Sequence, residues 1–231
     1  ITVAVACSMA GMVAGCITVT GLASKLINAV VNISSMVPIP SLSLFIALFL
    51  TMLCCIVLGM GVPTTANYCI MASTCAPILI QLGIGKIPAH FFVFYFGIVA
   101  DITPPVALAA YAGSAIAKSD PMKTGVNATK LAIAAFIVPY IFAYSPAMLF
   151  VNDPSVFEVV QIVISALLGI FGVAAALNGY LFRPIPKWMR LALIAAGLAM
   201  MIPGSATDVV GFAALAAMVL YQRTMAKKAG A

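Results

Sequence analysis

The stretch LGMGVPTTANYC, Leu58 to Cys69, separates two apolar runs of helical length. It breaks them with two glycines and a proline, then offers two threonines and an asparagine. Its surroundings make this unusual. Hydrophobic residues make up 65% of the chain and charged residues 7%, with a mean hydropathy of +1.22, whereas soluble domains carry about 25% charged residues. Several apolar runs reach the roughly 18 to 20 residues that cross a hydrocarbon core about 30 Å thick, and the short alternating segments of an outer-membrane barrel are missing. The sequence therefore predicts an all-α integral membrane protein, a polytopic helical bundle.

Working outward from that stretch, residues 41–58 and 66–83 form two arms around a tip at 59–67, neither of them long. Residues 1–31 read as one span, with Gly11 and Gly15 at the GxxxG spacing that lets helices approach closely. The run 88–117 is interrupted by ADITPPV, Ala100 to Val106. Consecutive prolines offer no amide hydrogens and clash with the preceding turn, so this span is discontinuous. Residues 118–130 are a charged loop or short amphipathic helix; 131–151 and 157–182 are plain spans. Residues 191–221 are cut by PGSATD, 203–208, read as a surface turn, into two short helices or a kinked pair. The organisation is thus 1–130, carrying both breaks, and 131–231, a set of C-terminal transmembrane helices. The opening ITVAVACSMAGMVAGC has no charged leader and no cleavage site, and is expected to begin partway through a longer protein.

Basic residues gather in KSDPMK…K, in RPIPKWMR and in the tail, while NDPSVFE is acidic, so the former read as cytoplasmic and the latter as external. On that assignment the arms 41–58 and 66–83 form a re-entrant hairpin dipping in from outside. The net charge of +6 follows from the same asymmetry and does not indicate nucleic acid. The six cysteines lie in apolar segments without CxxC spacing and read as small buried hydrophobes. The single histidine, His90, has no carboxylate neighbours and makes no metal site. Catalytic signatures such as HExxH and GxSxG are absent, and Asp101 has no second aspartate near it, which argues against an intramembrane protease.

Non-helical backbone at membrane depth leaves amides and carbonyls unpaired, at several kcal/mol each, unless it lines a cavity or meets a ligand. Gly59 and Gly61 open backbone angles closed to other residues, and Thr64 or Thr65 can cap the helix that follows. The tip sets the carbonyl end of one half-helix, suited to a small hard cation, beside the amide end of another, suited to a carboxylate. Asp101, Thr103, Pro104 and Pro105 repeat the arrangement at the second break. Two such breaks are the pattern of a secondary transporter's ion and substrate site, and an acidic side chain within a span is costly and usually functional. Tyr68, Tyr95, Tyr111, Asn67 and Gln81 line a substrate path or serve as interhelical glue.

The motifs GMGVPTTANYCIMA…APIL and GIVADITPPVALAAYAGSAIA together resemble the C-terminal repeat of the large membrane subunit of TRAP transporters. The aspartate before ITPPVALAAYA and the ending RPIPKWMRLALIAAGL…PGSATDVVG look most like the fused permeases of the TAXI branch. The resemblance implies an elevator-type carrier of inverted repeats in a bacterial or archaeal inner membrane. It implies a sodium ion held by the hairpin tip, at Gly59, Gly61, Val62, Thr64 and Thr65, and by the broken helix, at Ile102, Thr103 and Pro104. The helix starting near Thr65, with Asn67, would face a small organic acid delivered by a periplasmic substrate-binding protein. It further implies an N-terminal permease part and a small membrane subunit as partners. Many dicarboxylate-type relatives carry an uncharged residue where Asp101 stands, and this carboxylate would either strengthen sodium binding or allow proton coupling. Outside the transporter class, a ligand-free membrane scaffold would explain the breaks as packing devices.

Overall fold

The computed structural model describes residues 2–200 and 205–229. Among these residues all named elements are helical. The chain divides into two compact units, Ile1–Thr129 and Lys130–Ala231.

In the first unit, α1 (Thr2–Val19) and α2 (Leu22–Ser35) replace the single span expected over 1–31. Gly21 takes a left-handed conformation, φ 66°, and the Thr20 hydroxyl donates to the carbonyls of Cys16 and Ile17, ending α1. Added Cβ atoms at Gly11 and Gly15 would meet nothing within 4 Å, so the GxxxG face meets no described neighbour. Instead, α1 packs chiefly against α4 (Thr64–Thr74).

Between them in sequence lies α3 (Pro40–Gly59), with Pro40 at its first position, where a missing amide is harmless. Its 20 residues and high apolarity give it the length of a full crossing. The sequence reading made this arm too short. The other arm is broken: after α4 the chain turns at Cys75 into α5 (Ala76–Gln81), because Pro77 cannot continue the hydrogen-bond ladder.

The aromatic-rich α6 (Lys86–Val99) is the core of this unit. Phe92, Val93 and Phe96 are fully buried, and Phe92 stacks edge-on with Phe96 at 4.8 Å. Both α3 and α4 pack against α6. Beyond the break come α7 (Leu108–Ala117) and α8 (Pro121–Leu131). Asp120 caps α8 by accepting from the Lys123 amide at 2.8 Å, so the charged segment is helical.

The second unit begins with α9 (Ile133–Tyr144), shorter than the span expected over 131–151. Pro146 opens a 3-10 turn, Pro146–Leu149, and Phe150, Asn152 and Asp153 have positive φ. Next, α10 (Val156–Asn178) is a second helix of membrane-crossing length, capped by Ser155 and closed by left-handed Gly179. Then follow α11 (Lys187–Ala199) and α12 (Ser205–Ala229), the latter longer than expected because the basic tail continues the helix. Pro203 and Gly204 of the PGSATD segment lie outside the described residues.

These last helices close on one another through glycine. A Cβ at Gly197 of α11 would stand 2.6 Å from the Gly169 carbonyl oxygen and 2.8 Å from Val173 Cγ2, both on α10. One at Gly172 would stand 2.7 Å from Leu215 Cδ1 of α12, and one at Gly211 would meet the Ala196 carbonyl at 3.0 Å. Between apolar helices in lipid, such small-residue contacts replace the hydrophobic driving force that water supplies. Gly197→Val is expected to destabilise the protein by about 1–3 kcal/mol, lowering Tm by roughly 2 to 12 °C. Gly113→Ala, where an added Cβ meets nothing within 4 Å, should leave Tm unchanged or slightly raised; thermal unfolding in detergent checks both.

Candidate functional site where two helix breaks meet

At the first break α3 stops at Gly59. Met60 is extended, Gly61 is left-handed at φ 73°, and the Val62 amide donates to the Gly59 carbonyl at 3.4 Å. Pro63 is the N-cap of α4, and Thr64 and Thr65 are its first two residues. This corrects the expected threonine cap: one position further on, neither hydroxyl caps the helix. Proline has no side-chain acceptor to offer, so the first amides of α4, those of Thr64, Thr65 and Ala66, make no backbone hydrogen bond, and the first to do so is Asn67, to the Pro63 carbonyl at 2.8 Å.

Asn67 is the pivot of the site. It is 2% exposed, and its Nδ2 donates to the Gly97 carbonyl of α6 at 2.8 Å. Its Oδ1 is buried with no hydrogen-bond partner. Gly59 faces the same point: an added Cβ there would stand 2.8 Å from Asn67 Nδ2, 3.0 Å from the Gly97 carbonyl oxygen and 3.1 Å from Ala100 Cβ. An added Cβ at Gly97 would lie 3.1 Å from Nδ2. The end of α3, the start of α4 and the end of α6 therefore meet at one junction, and glycine at 59 and 97 makes the approach possible.

The second break begins immediately beyond that junction. A 3-10 turn, Ala100–Ile102, follows α6 and packs against α3. Thr103 then becomes extended, its hydroxyl donating to the Val99 carbonyl at 2.7 Å and keeping its own lone pairs free to accept. The Pro104–Pro105 peptide is cis, and Ala107 enters α7 with φ 33°. The break is braced from outside: Tyr111 donates to the Pro105 carbonyl at 2.7 Å, and Thr129 to the Ile102 carbonyl at 3.2 Å. Gly125 of α8 admits Pro104, whose Cγ would lie 3.1 Å from an added Cβ.

The structure thus brings Gly59 and Asn67 together with the residues that lead into Asp101, Ile102, Thr103 and Pro104, all four half-buried. It does not bring Gly61, Thr64 and Thr65 into the junction: all three are exposed, and Val62 is half-buried. Sequence reasoning missed Gly97, Gly125 and Thr129. A glycine inside a helix is a signal of close approach, and Gly97, within the aromatic run of α6, carried it. Of the polar residues named as path-lining, Tyr111 is a brace, and Tyr68 contacts His90 Nδ1 at 3.1 Å.

Chemically, the junction supplies an orphaned amide oxygen, and the second break just beyond it a threonine hydroxyl able to accept. The uncapped α4 terminus beside it supplies amide donors. The first set suits a cation and the second an anion. An apolar helix of crossing length that stops at a polar break, with further apolar helices around it, defines an all-α membrane protein. Residues 1–153 match the tripartite ATP-independent periplasmic transporter family, DctM component. The chain belongs to this family, whose members are the permease components of TRAP transporters and not enzymes. Comparison with curated proteins and with solved structures gives no match. The family implies a periplasmic binding protein and further transporter subunits as partners.

A double-mutant cycle tests the junction. Asn67→Ala should destabilise by about 1–3 kcal/mol through loss of the buried bond to Gly97. Gly59→Ala should displace the same amide. The two effects should be non-additive by more than about 0.5 kcal/mol, read by thermal or denaturant unfolding.

Proposed function

We propose that this permease couples organic-acid import to sodium, with the ion held where the two breaks meet. The observation that carries the reading is Asn67 Oδ1, buried and without a partner, at the contact of both breaks. A buried acceptor of this kind is destabilising unless a donor or cation reaches it. Sodium, a hard cation, takes oxygen ligands, and Thr103 Oγ1 and the irregular carbonyls of the break offer more of them. The open amides of Thr64, Thr65 and Ala66 then provide the anionic end of the site for a substrate carboxylate.

The remaining parts of the reading rest on family resemblance. They are an elevator movement, delivery by the periplasmic binding protein, a fused TAXI-type architecture and residence in a bacterial or archaeal inner membrane; the re-entrant hairpin rests on the charge asymmetry of the loops. A proton-coupled second reading has its own support in Asp101, half-buried beside the site. A carboxylate there would carry the proton across.

Thermal unfolding in sodium chloride against potassium chloride, at equal ionic strength, separates the readings. At sodium about 100-fold above its dissociation constant, mass action stabilises the folded state by about 2.7 kcal/mol. That gain should vanish in Thr103→Val, which keeps the volume and removes the hydroxyl. Uptake that is equal in the two salts but lost in Asp101→Asn would overturn sodium coupling and establish the proton route.

A further inference from the structure

The inner end of the second unit carries a feature that ion and substrate handling do not use. Between α10 and α11 the chain folds into a tight, prebuilt turn. Tyr180 bridges to Pro184, the Ile185 amide donates to the Gly179 carbonyl at 2.8 Å, and Arg183 sits near the tip. Arg190 braces the turn from α11, its Nε donating to the Ile185 carbonyl at 2.9 Å and Nη2 to the Gly179 carbonyl at 3.4 Å. Against the turn, α12 contributes Tyr221 and Gln222, leaving a cleft of about 260 Å³ lined by these two and by Arg183 to Pro186.

The chemistry of this cleft is one-sided. Arg183 lines it, Lys187 and Arg223 follow its lining residues Pro186 and Gln222 directly in sequence, and Arg190 braces the turn behind it. The acids of this unit, Asp153, Glu158 and Asp208, lie at the other end of the helices. Asp208 is about 20 Å along α12 from Tyr221, and Glu158 roughly 30 Å along α10 from Gly179, at 1.5 Å per residue. Among the described residues no carboxylate lies beside the basic cluster. At the cleft's floor Gln222 is 2% exposed; its Nε2 contacts Met189 Sδ at 3.3 Å and its Oε1 is buried without a partner. Tyr221 lines the cleft, and Tyr180, Phe182 and Trp188 flank its lining residues in sequence; all four are exposed, the composition of a membrane–water interface.

We propose that this cleft binds the headgroup of an anionic membrane phospholipid. The phosphodiester is held by Arg183 with Lys187 and Arg223, the Gln222 side chain turns its unpartnered Oε1 to accept from a headgroup hydroxyl, and the neighbouring aromatic residues pack on the glycerol and upper acyl chain. An arginine presents paired donors that match phosphate oxygens, and basic pockets between membrane helices select anionic lipid headgroups. A soluble phosphate would satisfy the arginines alone. The unpartnered acceptor and the exposed aromatic residues specify a lipid.

The test uses the full-length protein in detergent, by native mass spectrometry and thermal unfolding. The probes are phosphatidylglycerol, phosphatidylcholine and inorganic phosphate at equal phosphate concentration. Phosphatidylglycerol should be retained and should raise Tm, while the other two have little effect. Arg183→Gln with Arg223→Gln should weaken its apparent affinity roughly 25-fold, about fivefold per charge. The exposed positions should leave the lipid-free Tm unchanged, and Lys86→Gln in the first unit should leave the lipid response unchanged. Equal responses to phosphatidylglycerol and phosphatidylcholine, or a double variant that keeps full affinity, would overturn the proposal. An inorganic phosphate response matching that of phosphatidylglycerol would overturn it in favour of a soluble-anion site.

Discussion

One buried amide organises the first unit. Asn67 ties the start of one half-helix to the end of another by a single hydrogen bond, in a place where only glycine at 59 and 97 leaves room. In an apolar interior such a bond has no water to compete with it, and breaking it leaves unpaired groups on both sides. The turn Met60–Pro63, the start of α4 and the 3-10 turn after α6 all follow from this contact. Each element stops or starts where it must for Asn67 to reach the Gly97 carbonyl.

The same contact explains why irregular backbone is tolerated at all. Each break leaves peptide groups that the helix ladder cannot satisfy, and the structure deals with them one by one. The Thr103 hydroxyl donates to the Val99 carbonyl, that of Tyr111 to the Pro105 carbonyl and that of Thr129 to the Ile102 carbonyl. Among the polar groups left open are one carboxamide oxygen, one hydroxyl able to accept, and the amides at the start of α4. The carboxamide oxygen lies where the ends of α3 and α6 meet the first turn of α4.

Much of this was legible in the sequence, and the failures have physical causes. Composition and run lengths gave the helical membrane class, and the prolines at 63, 104 and 105 located both breaks. The bend at Gly21 was hidden because a single glycine in an apolar run is compatible with an unbroken helix. The division of α4 from α5 follows from Pro77, a proline inside the run 66–83 that was taken as one arm. The threonine cap failed because Pro63 took the capping position and pushed both hydroxyls one step into the helix. Asn67 was marked as a polar residue on a path. Its role as the pivot depends on Gly97, 30 residues away, and no local pattern encodes that meeting.

The glycine seams of the second unit have a mechanical meaning. Where α10 meets α11 at Gly169 and Gly197, backbone rests on backbone, while Gly172 and Gly211 leave notches filled by the Leu215 and Met200 side chains. Sliding one helix past its neighbour would press side chains into the backbone contact and pull Leu215 and Met200 out of their notches. These three helices therefore form a post that resists internal shear.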